Sequence, residues 1–263
     1  MLRGLYAAAN AMRYREHEVE VISNNLANVS TDGFKRDRVA LRSFGDMLIT
    51  RMNDYGNEPK PIPFNPPKIG VMNLGGFATE TEFVDFQQGR PKLTGNPLDL
   101  YLNGPGFFVV RTENGDRYTR NGALSLSETG ELITQEGYNV LGTDNSPIRL
   151  NSTSQIQVNQ DGEIRQDGAP TGRIQIVEFQ DLSSIEKQGY TLFMQMDPTQ
   201  NSATPSPSTS IEQGSIEASN VDPIMSLVRL ISSQRAYEAA ARAVDMFNDS
   251  MSRVSGELGR LPA

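Results

Sequence analysis

The chain of 263 residues contains no cysteine, which excludes disulfides, thiolate metal sites and cysteine nucleophiles together. It contains a single histidine, His17, set between Glu16 and Glu18 in a charged stretch. A serine–histidine–acid relay would have to use that residue, and no nucleophile-elbow pattern accompanies it. Positive charge is in deficit: 24 Lys plus Arg against 32 Asp plus Glu leave a formal charge of -8 and a pI near 4.8. A chain of that balance lacks the electrostatic footprint of a nucleic-acid binder. No apolar run approaches the roughly 18 to 20 residues that cross a bilayer as a helix, so no membrane insertion is expected. The opening MLRGLYAAANAMRYREHEVEV turns charged before an apolar signal core can form, and no cleavable secretory signal is expected.

What the sequence has in quantity is a periodic pattern at both ends. Leu5, Ala9, Met12, Val19 and Leu26 recur in steps of three and four, with Glu16 and Ser23 in the polar slots. Leu227, Leu230, Gln234, Tyr237, Ala241, Val244, Asn248 and Met251 repeat the pattern near the other end. Steps of three and four are the heptad signature. They predict long helices over residues 1–29 and 222–258 that form a coiled-coil-like stalk. An isolated helix with one apolar stripe is marginal in water, so each end needs a partner, either the other end or an end of another copy.

Between them the pattern changes. Asn24, Asn25 and Asn28 crowd the last turns of the first helix, and Thr31, Asp32 and Gly33 end it. Residues 34–95 read as an extended connector with prolines at 59, 61, 63, 66 and 67. Residues 96–197 read as a mostly antiparallel β domain, because short apolar runs alternate with Asn114-Gly115, Asn121-Gly122, Thr129-Gly130, Glu136-Gly137, Asp161-Gly162 and Asp167-Gly168. Residues 198–221 carry the polar run TQNSATPSPSTS and read as a linker. Asp222 is placed to cap a second helix and Pro223 to occupy its first position. The expected fold is α+β: residues 1–33 and 222–263 as terminal helical elements, the connector, the β domain and the linker between them.

Candidate chemistry is sparse. The stretch NQDGEIRQDG offers a glycine at the turn position of a calcium loop, but Gln157 and Gly168 then fall where that loop needs acids. Gly104-Pro105-Gly106 lacks the third glycine and the following helix of a phosphate cradle. Neither a cofactor nor a metal is expected, and the chain does not read as an enzyme. His17 reads as a solvated residue on a helix surface.

Ser23-Asn24-Asn25-Leu26-Ala27-Asn28-Val29-Ser30-Thr31-Asp32-Gly33-Phe34-Lys35 resembles the ANNLANxxTxGFK signature of bacterial flagellar axial proteins, with Ser23 where alanine is usual. The blocks GNPLDLYLNGPGFFVV and YTRNGALSLSETGELITQEGYNVLG are similar to the rod and hook members. Ser219-Asn220-Val221 and Gln234-Arg235-Ala236-Tyr237-Glu238 complete the pattern in order. Size places the chain with the rod proteins rather than the hook. Ser219-Asn220-Val221 leans toward the distal rod and the segment Asn145 to Leu150 toward the proximal rod, with the distal type favoured.

The resemblance implies a structural subunit that leaves the cell unfolded through the flagellar type III export apparatus, without signal cleavage. It implies helical self-polymerisation into a hollow shaft that transmits torque from motor to hook, beside other axial proteins of rod and hook. The assembly interface would comprise Leu5, Met12, Val19 and Leu26, with Asn24, Asn25 and Asn28, from the first helix, and Leu227, Leu230, Gln234, Tyr237, Val244 and Met251 from the second. In the connector, Met47, Leu48 and Ile49 would dock on neighbouring subunits. The rival expectation is a secreted binding module whose helices close a small oligomer.

Overall fold

The computed structural model describes residues 2–43, 47–50, 68–72, 78–151, 155–196, 202–206 and 208–258. The proline-rich part of the connector lies outside the described residues. Two helices are present among them, α1 (Leu2–Ala27) and α2 (Pro223–Leu258). The chain divides into two compact units, one of Met1–Ser23, Val39–Glu82 and Leu227–Ala263, the other of Asn24–Arg38 and Phe83–Ser226.

The second unit holds the β domain. Its main sheet has nine strands, all of whose pairings are antiparallel. The centre of the sheet is the strand Phe107–Thr112, paired with Gly115–Thr119, Asn139–Val140 and Ile176–Glu178. Side chains of a strand alternate between faces, and here both faces are covered. Phe108 and Val110 join Leu100, Leu124, Leu132, Val140 and Ile174 on one side. Phe107 and Val109 join Leu141, Val177, Phe179 and Phe193 on the other. A strand buried on both faces reads as a continuous apolar run rather than an alternation, which is why Phe107-Phe108-Val109-Val110 has no polar member.

The turn chemistry explains the strand boundaries. Asp167 and Gly168 both have positive φ, 50° and 85°, the arrangement of a type I′ hairpin turn, and they join Glu163–Gln166 to Ala169–Arg173. Gly122 serves a different purpose from the other turn glycines. A Cβ there would lie 1.8 Å from the carbonyl oxygen of Leu100, so the glycine permits a close backbone approach. Within the stretch whose composition is that of a linker, Ser210–Gln213 pairs with Leu100–Asn103, and Ser215–Glu217 pairs with Pro91–Leu93. The chain thus returns into the β domain before α2 begins.

The first unit overturns the expected coiled-coil-like stalk. The α1 and α2 helices touch where Gly4 faces the Phe247 ring and where Ser233 donates to Glu18 at 2.7 Å, so they run antiparallel at those points. The heptad seam of α2 is not sealed by this contact. Leu227 is 46% and Met251 37% exposed, and Gln234 is exposed. The one buried residue of α2 among those described is Ser233. A coiled coil buries apolar side chains at its a and d positions; here the helix places a serine at its most covered point, one residue away from the seam position 234. Heptad spacing shows that a helix has an apolar face, but not what covers it.

Replacing Gly122 by alanine would drive a methyl group into the Leu100 carbonyl. Overpacking of this kind destabilises by about 1–3 kcal/mol. Denaturant unfolding of the variant should show a lowered midpoint with little change in slope, whereas the same change at Gly168, with open space around its Cβ position, should introduce only backbone strain.

Candidate functional site

Where α1 ends, Asn24, Asn25 and Asn28 build the turn that follows. The Asn28 side chain donates to the Asn24 carbonyl at 2.9 Å, and Thr31 donates to the Asn28 side chain at 3.2 Å. The Asn25 amide is spent on the backbone of Asp37, donating to its carbonyl and accepting from its N–H, each at 2.8 Å. Asn25 and Asn28 are buried, while Asn24 is exposed. Gly33 then lies against the Asn121 backbone with φ of 73°, and a Cβ would come within 2.5 Å of Asn121 N. Only glycine satisfies both the left-handed conformation and that approach. Its N–H donates to the Glu217 carbonyl at 2.7 Å.

This approach carries Lys35 into the interior. The side chains of Lys35 and Glu217 are 0% and 1% exposed, and the lysine Nζ donates to Glu217 Oε1 at 2.5 Å and to the Gln87 carbonyl at 2.8 Å. The same carboxylate oxygen accepts from the Gly89 N–H at 2.6 Å. Arg120, also buried, holds a nitrogen 3.6 Å from Glu217 Oε2, donates to the Gly104 carbonyl at 2.7 Å, and lies over the Phe107 ring at 4.9 Å. Two cations therefore share one carboxylate inside the protein. Burial lowers the pKa of Lys35, and the attraction of Glu217 offsets only part of that. Burial lowers Arg120 as well, again against the pull of Glu217.

Further bonds fix the adjacent segments. Arg36 pairs with Asp85 at 2.8 Å, and Asn220 accepts from the Arg36 N–H while donating to the carbonyls of Asp85 and Gln87. Lys187 donates to the Lys35 carbonyl and the Asp37 carboxylate and sits 3.8 Å from the centre of the Phe34 ring. The signature turn, the segment after Phe83 and the returning strand Ser215–Glu217 are thereby tied together. Lys35, Glu217, Arg120 and Asn220 were not singled out as site residues from the sequence, although Lys35, Arg120 and Asn220 fall inside its recognised signature blocks. An isolated Lys, Arg or Glu carries no local sign of burial.

A separate feature lies on α2. Asp222 caps it by accepting from the N–H groups of Ile224 and Met225 at 3.0 and 3.1 Å. Directly after the cap, Ile224, Leu227, Val228 and Ile231 stand 72%, 46%, 56% and 53% exposed. Their spacing of i, i+3, i+4 and i+7 places them on one face of the helix. Of the other residues read as an interface, Leu5, Met12, Val19, Leu26, Leu230, Tyr237 and Val244 are half-buried. His17 is not simply solvated: its Nε2 lies 2.9 Å from Glu82 and its Nδ1 3.7 Å from Glu20.

Three family descriptions match the chain in order. Residues 5–35 match "Flagella basal body rod protein", residues 101–166 match "Flagellar hook protein FlgE/F/G D1 domain", and residues 212–256 match "Flagellar basal body rod FlgEFG protein C-terminal". Lys35, Arg120 and Glu217 each fall in a different one of these segments. The chain is 32% identical to the flagellar basal-body rod protein FlgF of Caulobacter vibrioides over 93% of both chains. It is 30% identical to FlgG of the same organism over 97% of this chain and 98% of that one. It is 28% identical to the flagellar hook-basal body complex protein FlhO of Bacillus subtilis over 99% and 100%.

Removing one member of a buried ion pair strands the other, at about 3–5 kcal/mol. Glu217→Gln and Lys35→Met should each lower the stability of the β-domain unit by that order in chemical denaturation, and the double variant should recover part of the loss. Asp85 gives a pH signature. Burial alone would raise its pKa, but hydrogen bonds from Arg36 and Gln87 and the charges of Arg36 and Arg38 outweigh it, so the folded value lies below the ordinary 3.8. Its contribution is complete above about pH 4 and is lost as pH falls through the lowered folded value. The stability difference between the wild type and Asp85→Asn should therefore be constant above that pH and shrink below it.

Proposed function

Given that the chain belongs to the bacterial flagellar basal-body rod family, we propose that it is a structural subunit of the rod that self-assembles beside other axial proteins of the flagellum and serves as part of the shaft between motor and hook. The FlgG-like, distal assignment is favoured because relatives bearing that name recur in Caulobacter, Buchnera, Bacillus and Agrobacterium. A FlgF-like proximal subunit is the alternative, supported by the 32% identity to Caulobacter FlgF.

The observation that carries the assembly reading is the exposed apolar face of Ile224, Leu227, Val228 and Ile231, on a helix that buries one residue of its own among those described. Packing supplies most of the stability of such a helix, so the terminal segments gain their order when neighbouring subunits cover them. Addition at a growing tip then provides the cover, and contacts that do not close generate a filament rather than a ring. The half-buried Leu5, Met12, Val19 and Leu26 on α1, and Leu230, Tyr237, Val244 and Met251 on α2, extend the contact; Asn24 and Gln234 contribute at its polar margin. Asn25 and Asn28 act on it indirectly, by holding the turn after α1. Delivery through the flagellar export apparatus without signal cleavage, and residence in the basal body, belong to the same reading.

Electron microscopy of basal bodies from cells lacking this chain tests the role. A truncated rod is expected, its stump long for a distal subunit and short for a proximal one; an intact rod and hook would refute the assignment. Leu227→Asp and Ile231→Asp should each cut rod assembly by more than about tenfold, since each removes roughly 1.5–3 kcal/mol of burial per contact. Because both side chains are exposed in the single chain, thermal unfolding of the monomer should hardly change.

A further inference from the structure

Three turns of the β domain meet at one end of the main sheet: the tip between Thr112 and Gly115, the bend between Thr134 and Asn139, and the tip between Gln188 and Leu192. They enclose a cleft of about 460 Å³, within the size range of small-ligand sites. None of the interactions that hold Lys35, Glu217 and Arg120 involves a residue that lines it.

The lining is selective in its chemistry. Glu113 and Glu136 contribute carboxylates, Tyr138 and Tyr190 contribute rings, and no lysine or arginine lines the cleft among the described residues. Two carboxylates without a lining cation disfavour phosphates and other anions. Gln188 and Glu136 are also held in place. Gln188 accepts from Arg117 Nε through its carbonyl oxygen at 2.5 Å, which orients its NH2 group as a donor. Arg117 is itself buried. Thr191 donates to Glu136 Oε1 at 3.3 Å, leaving the second oxygen as an acceptor. Tyr190, 64% exposed, presents a ring at the rim.

A ring beside carboxylate acceptors and a fixed amide donor is complementary to a pyranose, whose C–H face lies on an aromatic surface while its hydroxyls donate and accept around the edge. We propose that this cleft binds a neutral oligosaccharide, with Tyr190 as the stacking platform, Glu113 and Glu136 as hydroxyl acceptors and the Gln188 amide as donor. Arg117, behind Gln188, compensates part of the acidic charge and so favours an uncharged polyol over a basic peptide. Binding would add a contact surface on the β domain without altering its fold.

The test is titration of the full-length chain with chitotriose, cellotriose and maltotriose, followed by the intrinsic fluorescence of its tyrosines, since the chain has no tryptophan. At least one sugar should perturb the emission saturably in the micromolar to low-millimolar range. Tyr190→Ala should weaken that binding about tenfold, and Gln188→Leu should weaken it as well, with the thermal midpoint of Tyr190→Ala unchanged. Absence of saturable binding to all three sugars would overturn the proposal. So would equal affinity in Tyr190→Ala, or saturable binding of trilysine in place of the sugars.

Discussion

Burying charge is expensive unless each ion meets an opposite partner and its remaining hydrogen-bonding capacity is used. Lys35, Arg120 and Glu217 are all buried in one place, so the surrounding structure has to hold them together. Lys35 comes from the turn after α1, Arg120 from the centre of the β domain and Glu217 from the strand just before α2. The requirement that they meet fixes the points at which the chain enters and leaves the β domain as neighbours. Such a cluster specifies geometry more than it adds stability, because the desolvation of three charged groups consumes much of their attraction.

The rest of the arrangement follows from that junction. Gly33 must be glycine for Lys35 to reach the interior, since its backbone lies against Asn121. Gly89 donates to the same carboxylate, and Asn220 clamps the segments on either side. Arg120 carries the constraint into the sheet by lying over Phe107, whose ring packs edge-on with Phe86, Phe179 and Phe193. The ionic junction and the aromatic core thus share a wall. A junction made of directional bonds resists sliding better than apolar contact alone, because displacement leaves buried charges unpaired.

The helical ends obey a different economy. The α2 helix begins sharply at a carboxylate cap and at once presents an apolar face that is exposed among the described residues. Its heptad spacing was visible in the sequence, and a coiled-coil-like stalk was the natural inference from it. That inference failed because spacing reports the width and phase of an apolar face while the identity of its partner depends on the remainder of the chain and on other subunits. The covered point of α2 is Ser233, bonded to Glu18, one residue from the seam position Gln234. A shift of one residue turns a helix by about 100°, enough to move the apolar residues out of the contact.

Local chemistry alone determined a good deal: the helix ends at the asparagine cluster and at Asp222-Pro223, the antiparallel β domain punctuated by glycine turns, and the resemblance to flagellar axial proteins. These are properties of adjacent residues, set by backbone preference, side-chain periodicity and short motifs. The tertiary structure decided the pairing of Lys35 with Glu217 across 182 positions, the role of Gly122 as a spacer rather than a turn, the strands hidden in a polar, linker-like stretch, and the face of α2 that remains open. Each of these depends on which distant segments come into contact, and a charge or a small residue looks the same in sequence whether it faces water or the interior.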